Sequence, residues 1–474
     1  MLNADFLKID PHNKKGDDPS MSKYLLSRQI QTERVSPMAI IPQKLFGWED
    51  VEELGDLERL VLILETLPDE KLVRAMEQER FRGRNDYPVR AVWNSILAGI
   101  VYQHPTIASL RRELQRNAQL RQVCGFDLWS GVKAVPTDAA YSRFLRRLMD
   151  RYHSFVAAIF DDLIERLTEL LPDFGQTLAI DGKAIQSYAN RKSERESDGR
   201  RDIDGDWSKK VYRGIRKDGT PWEKVTSWFG YRVHLIVDST YELPVHFRLT
   251  KASNSEVKEA HGMIDNLAKV HPKLIKRCRE FAADRGYDDS KLIVKLWDEH
   301  KIKPVIDIRN LWKDRDPTRL LGDYTNVSYD YKGTIYCYCP QKGTQRDMAF
   351  GGFEEKRGTL KYRCPAKQYG LKCQGQINCP VAKGIRIKME EDRRLFTPLA
   401  RSSYAWKRAY DKRTSVERVN SRLDGFFGFE NHNIRGQKKM EVRCGLALCV
   451  MLALAVGRIQ QGKPDLMRKL AISA

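Results

Sequence analysis

Residues 178–185 read LAIDGKAI, an apolar run that ends in Asp181-Gly182. A short apolar run of this length reads as a buried strand. Its carboxylate projects from that strand, while the glycine lets another chain approach closely. Outward from it, strands are expected at 178–185, 229–237, 243–250, 279–284 and 303–308, with helices at 256–270 and 290–300. The turn from Asp238 to Leu243 makes the second and third strands an antiparallel hairpin.

Three strands, a helix, a strand, a helix and a strand spell an α/β fold of the ribonuclease-H-like, mixed-sheet kind. In that order the third strand lies at one edge and the first in the middle. Before this core, residues 39–172 show helical spacing, with Leu57, Leu60, Val61 and Leu64 on one face and Val92, Ile96 and Ile100 on another. A helix is expected after Pro105, capped by Thr106, and another after Pro136, capped by Thr137. On the second, Tyr141, Phe144, Leu145 and Leu148 share a face, and Arg143, Arg146 and Arg147 project from the opposite one. Paired short helices with an arginine-studded second member suit a DNA contact of helix-turn-helix type. The connection between them is longer than a compact version of that motif uses.

The domain reading is therefore a tail over 1–38, a helical N-terminal DNA-binding domain over 39–172, and the catalytic core over 173–309. A Cys-rich, β-containing insertion follows at 310–398, and C-terminal helices complete the core over 399–474. The polar stretch 190–224 reads as a long mobile loop. The apolar run 446–456 is shorter than the roughly 20 residues a bilayer crossing needs, and reads as a buried helix. The N-terminus lacks the apolar run of a signal peptide, so a cytoplasmic, nucleoid-associated protein is expected, with no membrane partner.

Of 474 residues, 83 are Lys or Arg and 63 Asp or Glu, a formal charge of +20. That excess favours a polyanionic partner, nucleic acid first. Apolar residues make up 41% of the chain, enough to exclude wholesale disorder.

Three carboxylates carry the chemistry. Asp181 ends the apolar run of the first strand. Asp284, in AADRGYDD, ends the fourth, which this strand order sets beside the first, about 4.8 Å away. Two carboxylates that close repel unless a cation lies between them. Glu417 falls on one helix face with Tyr410 and Arg413, at spacings of three and four. Carboxylates suit Mg²⁺ or Mn²⁺, and two such ions can activate a water or a 3′-hydroxyl for attack on a phosphodiester. Arg413 would orient Glu417 or meet a phosphate, and Lys183 could do the latter.

With these motifs in order, the chain resembles the DDE transposases of bacterial insertion sequences, and most of all the branch marked by Tyr-x2-Arg-x3-Glu-x6-Lys. The strand ending in Asp-Gly, then GYRVHL with its hairpin turn, then ADRGYD, then Tyr410, Arg413 and Glu417 carry the resemblance, over roughly residues 45–460. The resemblance implies that Asp181, Asp284 and Glu417 are the catalytic acids. It implies a substrate of terminal inverted repeats in double-stranded DNA, bound by a homodimer or higher multimer. It also implies that an aromatic near the sheet, such as Trp228, stacks on a flipped base. The signature lysine falls at position 424, where this chain has Asp424; Arg422 and Lys412 are the substitutes to hand.

Five of the nine cysteines, Cys337, Cys339, Cys364, Cys373 and Cys379, fall in the insertion. They are more than the four thiolates of a structural zinc, though without paired Cys-x2-Cys knuckles. Lys342, Lys356, Arg357, Lys361 and Arg363, interleaved with Tyr338, Phe353 and Tyr362, give that lobe a second route to DNA. Two other readings stand beside the transposase: another nuclease on the same sheet, and a catalytically inactive DNA-binding protein.

Overall fold

A computed structural model of the chain describes residues 55–80, 86–189 and 202–470, apart from positions 315, 340, 342 and 376. The expected tail over 1–38 and Lys342 lie outside the described residues.

The helical region comprises α1 (Leu57–Thr66), α2 (Glu70–Gln78), α3 (Val89–Val101), α4 (Ile107–Arg116), α5 (Ala118–Cys124), α6 (Asp138–Arg151) and α7 (His153–Leu170). The start of α4 is where the sequence puts it. The Thr106 hydroxyl accepts from the Ser109 N–H at 3.1 Å, and Ser109 answers with a reciprocal capping bond. Thr137 caps α6 in the same way, and Tyr141, Phe144 and Leu148 are buried beneath it. Just before α2, the fully buried Asp69 accepts hydrogen bonds from Arg90 and from the Trp93 indole, each at 2.5 Å. That carboxylate ties the entrance of α2 to α3.

The main sheet is built from β1 (Thr177–Gln186), β2 (Asp206–Ile215), β3 (Pro221–Asp238), β4 (Leu243–Lys251), β5 (Glu280–Ala283) and β6 (Lys303–Ile306). Its inner order is β4-β3-β1-β5-β6, with β2 added along the outer half of β3. β1 runs antiparallel to β3 and parallel to β5, which is parallel to β6. The sheet is thus mixed, with β4 at an edge and β1 central, as the order of elements predicts. The crossovers carry α8 (Glu256–Val270), α9 (Pro272–Arg277) and α10 (Ser290–Asp298).

The stretch read as a loop over 190–224 is corrected over its second half. Residues 206–215 and 221–230 pair in antiparallel register as a two-stranded ribbon that runs beyond the sheet. Both faces meet solvent; Tyr212, Ile215 and Val225 are exposed. A ribbon with no buried face needs no apolar-polar alternation, so its lysines and glycines read as loop. Gly230, at φ 149°, marks where β3 leaves the ribbon and enters the sheet. A Cβ there would stand 2.4 Å from the Ile185 carbonyl oxygen and the Ser187 nitrogen, so only glycine lets the strands pass.

The insertion forms two small sheets. One holds β7 (Arg319–Leu320), β8 (Val327–Tyr329), β9 (Ile335–Tyr338) and β10 (Gln345–Asp347). The other holds β11 (Ala349–Glu354), β12 (Thr359–Arg363) and β13 (Ile385–Lys388), with the short α11 (Pro365–Tyr369) following β12. They share a core of their own, around Val327, Ile335, Leu360 and Ile387, separate from the main one. The aromatics read as DNA contacts belong partly to that core: Tyr362 is buried and Phe353 packs edge-on against Trp297.

The chain ends in α12 (Tyr404–Asp411), α13 (Thr414–Phe427) and α14 (Gln437–Gln460). α14 is longer than the apolar run that announced it, and by length and apolarity it could cross a membrane; 89% of its most apolar window is buried inside the protein, as a core helix requires. It packs against α7, α1 and β4. At Gly457 a Cβ would come within 2.7 Å of Leu62, so glycine sets how closely α1 lies on it.

His271, between α8 and α9, bonds Glu165 at 2.7 Å and Asp161 at 3.1 Å on α7. Burial works against its protonation, but the two carboxylates outweigh burial and hold its pKa above the ordinary value. A pKa raised on folding contributes stability that is complete below the unfolded value and fades as pH climbs through the folded one. The stability lost in His271→Gln is therefore expected to shrink as pH rises from about 6 to about 8. Denaturant melts of both proteins across that range check it, and a pH-independent difference would refute it.

Candidate active site

The parallel pairing of β1 with β5 aligns Ile180 with Ala283, so the next residue on each strand, Asp181 and Asp284, leaves the sheet at the same height. Asp181 accepts from the Gly182 N–H at 2.8 Å, and Asp284 caps a short turn by accepting from the Gly286 N–H at 2.7 Å. Burial pushes the Asp181 carboxyl up to about 6. Lys210 of the ribbon pulls the other way, and the carboxylates of Asp284 and Glu256 push it further up.

Glu256 is the acid that sequence reasoning missed. It is the first residue of α8, and its two oxygens lie 2.8 Å and 3.0 Å from where Cβ atoms at Gly182 and Gly286 would be. Those two glycines make room for it between the aspartates. Arg232 holds it at 2.9 Å, and Lys210 approaches to 4.0 Å. The available signal was an acid in the first turn of the helix that follows the hairpin. Beneath the group, the Tyr287 hydroxyl is buried without a hydrogen-bond partner, with Glu256, Asp181 and Asp284 as its charged neighbours.

The third expected acid comes from the other side. Arg413 follows Tyr410 through a turn between α12 and α13, and its guanidinium lies 5.7 Å from the Tyr410 ring centroid. Tyr410 in turn stacks on Trp406 at 4.7 Å. Arg413 pairs with Glu417 at 2.9 Å and also feels the charge of Asp181. Tyr410 has both Arg413 and Asp284 among its charged neighbours. The helix end thus faces the aspartates with Arg413 foremost, while Glu417 stays half-exposed on that arginine. α13 lies against β1 and β3.

Glu417 and Asp424 line an open cleft of about 760 Å³ between α13 and the α3–α4 turn, where Gln103 and Pro105 form the facing wall. A neighbouring pocket of about 410 Å³ shares Gln103 and Pro105 and is lined by Arg146.

Asp424 is not bare. Lys183, two residues along β1 from Asp181, donates to it at 2.5 Å. The proposed substitutes for the signature lysine point elsewhere. Arg422 donates to the Glu242 carbonyl at 2.6 Å, and Lys412 lies near Glu280 at 3.6 Å. Asp424 is thus neutralised from the strand and not from its own helix. Reversing either charge alone should lower the unfolding free energy, and the double variant Lys183→Asp with Asp424→Lys should recover about half of that loss or more. Denaturant melts of the three variants decide, and purely additive effects would dissolve the link.

The remaining expected contacts divide. Arg143 and Arg146 are exposed on α6, whereas Arg147 is engaged by Glu79 at 3.0 Å. Trp228 is buried; its indole N–H donates to the Tyr231 carbonyl at 3.2 Å, and Arg232 covers its ring. It is a packing residue and offers no face to a base.

Among the described residues no three His, Cys, Asp or Glu side chains already stand as a metal-holding group. The donor set at the aspartates nevertheless suits a hard divalent cation: crowded carboxylate oxygens, one of them with its pKa forced upward, and an unpartnered hydroxyl beside them.

The profile of a known family, described as transposase DDE domain, matches residues 172–453. The chain belongs to the transposase DDE domain family. No curated protein matches it. Among solved structures, the chain is similar to one described as a cryo-EM structure of piggyBac transposase synaptic complex with hairpin DNA. The two share 10% identity and a TM-score of 0.34, over 88% of this chain and 79% of that one. The matched region of this DNA transposase runs from just before β1 into α14, and so contains all four acids, the ribbon and the Cys-rich insertion.

Proposed function

We infer that this transposase cuts phosphodiester bonds at the terminal inverted repeats of a bacterial insertion sequence and joins the freed 3′ ends to target DNA. The observation that carries the reading is the pair of aspartates at equal height on adjacent parallel strands, with Glu256 between them and the charge of Arg413, which pairs with Glu417, felt at Asp181. Asp181 and Asp284 would hold the divalent metal, Mg²⁺ or Mn²⁺, and Glu417 would complete the set. Bound there, two such ions supply a lowered pKa for the attacking hydroxyl and charge neutralisation for the departing oxygen. Arg413 keeps Glu417 in place until DNA arrives, and then offers its guanidinium to a phosphate oxygen. Lys210 carries a cation from the ribbon to the same acids. The insertion-sequence branch is supported by the spacing of Tyr410, Arg413 and Glu417; at position 424 the chain departs from that signature, with Asp424 paired to Lys183.

DNA would lie along the cleft beside Glu417, gripped by Arg143 and Arg146 at one end and by the ribbon at the other. A two-stranded ribbon fits the major groove, and Lys209, Lys217 and Lys224 on this one give it the sign that phosphate attracts. The protein would act in the cytoplasm, on the nucleoid, as a dimer or larger assembly holding both ends.

The test is a reaction of the purified protein and Mg²⁺ with linear DNA bearing the inverted repeats that flank its coding region, plus a circular target. Joined products are expected. Cleavage without joining would favour the nuclease reading, and tight binding without breakage the inactive one.

A further inference from the structure

All five cysteines of the insertion line one small cavity of about 20 Å³, together with Thr344, Arg346 and the first residues of α11. They arrive from three separate places. Cys337 lies near the end of β9, and Cys339 follows just beyond it. Cys364 opens α11. Cys373 and Cys379 come from the loop beyond it. Cys337 sits among Cys364, Cys379 and Cys373, and a thiol hydrogen bond links Cys373 to Cys339. None of the nine cysteines is in a disulfide.

Five thiols meeting in one place is poor packing for an apolar core. A thiol is a weak hydrogen-bond former, and the sheets around it are strands of two to six residues. The lobe's apolar cluster, around Val327, Ile335 and Leu360, is small for the chain it must hold. As they stand the thiols are neighbours and not a finished ligand set, for no metal-holding group of three occurs among the described residues. The cavity between them is about the size that holds one water. Four thiolates at about 2.3 Å from one ion make the closed tetrahedral site of structural zinc.

We propose that the insertion carries a structural Zn²⁺ bound by Cys337, Cys364, Cys373 and Cys379, with Cys339 outside the ligand set. The choice follows position: Cys364, Cys373 and Cys379 come from the two segments that the ion joins to β9, and of the two cysteines on that side Cys337 is the one held inside the strand. The ion pins the end of β9, the start of α11 and the 373–379 loop together where no apolar side chains do so. Binding releases the four thiol protons to solvent, and the site so formed is neither redox-active nor catalytic.

Elemental analysis of the full-length protein, purified reduced and without added chelator, should find about one equivalent of zinc. Chelation should then add four to the thiols that react with a disulfide reagent. Cys339→Ser should keep its zinc and soluble yield. Cys337→Ser, Cys364→Ser, Cys373→Ser and Cys379→Ser should each lose the zinc several-fold. Wild-type protein with little or no zinc overturns the site itself, whether or not any serine variant folds. Loss of zinc in Cys339→Ser, with retention in one of the other four, overturns the assignment of ligands. Neither outcome touches the transposase reading, which rests on a different part of the chain.

Discussion

Asp181→Asn is expected to reduce cleavage of element ends by at least about 10³-fold while leaving their binding within about twofold of wild type. The estimate follows from the several kcal/mol of charge stabilisation that a catalytic metal contributes, at 1.36 kcal/mol per factor of ten. Asn keeps the shape and the contact with Gly182 but removes the charge that draws a divalent ion. The same substitution should raise the melting temperature of the metal-free protein. It removes one of the carboxylates now crowded together with Asp284 and Glu256, and strain of this kind is the usual cost of a functional site. Both measurements are needed: cleavage by gel assay with end DNA, and melting in the presence of a chelator. Cleavage near wild-type level would remove Asp181 from the chemistry. A fall in melting temperature would mean that its charge is satisfied by the fold and not held for a cation.

Asp69→Ala is expected to destabilise the protein by about 3 kcal/mol, the lower end of what breaking a buried ion pair costs. The lower end applies because Arg90 keeps Glu70 at 2.5 Å after Asp69 is gone. The Trp93 indole N–H has no such second partner, and is left buried and unbonded. Burial first, and then the charge of Glu70, push the Asp69 carboxyl upward, with Arg90 and the Trp93 bond opposing them, so the charged form depends on these two contacts. Urea unfolding of purified wild type and variant gives the difference. A loss below about 1 kcal/mol would place the pair among contacts that merely offset their own desolvation.

The catalytic sheet was legible because its decisive strands begin as short apolar runs that lead to a carboxylate. LAID and FAAD each announce a buried strand and a polar group at its mouth, and their parallel alignment follows from the order of elements. The helix caps at Thr106 and Thr137 were legible for the same reason: the signal is local, a hydroxyl three residues ahead of a free N–H. What escaped was everything that depends on a distant partner. Asp424 read as a departure from a signature, because Lys183 lies 241 residues away in sequence. Glu256 read as an ordinary helix acid, because the glycines that admit it stand on two other segments. The ribbon escaped for the opposite reason, having no interior to imprint a pattern on its residues. Trp228 went the other way, the family resemblance suggesting a platform for a base where the fold needed filler.

The position of α14 has a consequence for anyone wishing to study the catalytic unit alone. The family match stops at residue 453, inside that helix, and begins after the segments that cover it. A fragment cut to those limits would strip away α1 and α7 and leave a greasy rod facing water on the sides they now occupy. The trimmed enzyme should therefore clump when expressed. The arms that grip DNA and the blade that cuts it are forged as a single piece, and a hinge between them would have to be sought elsewhere than at the border where recognisable ancestry begins.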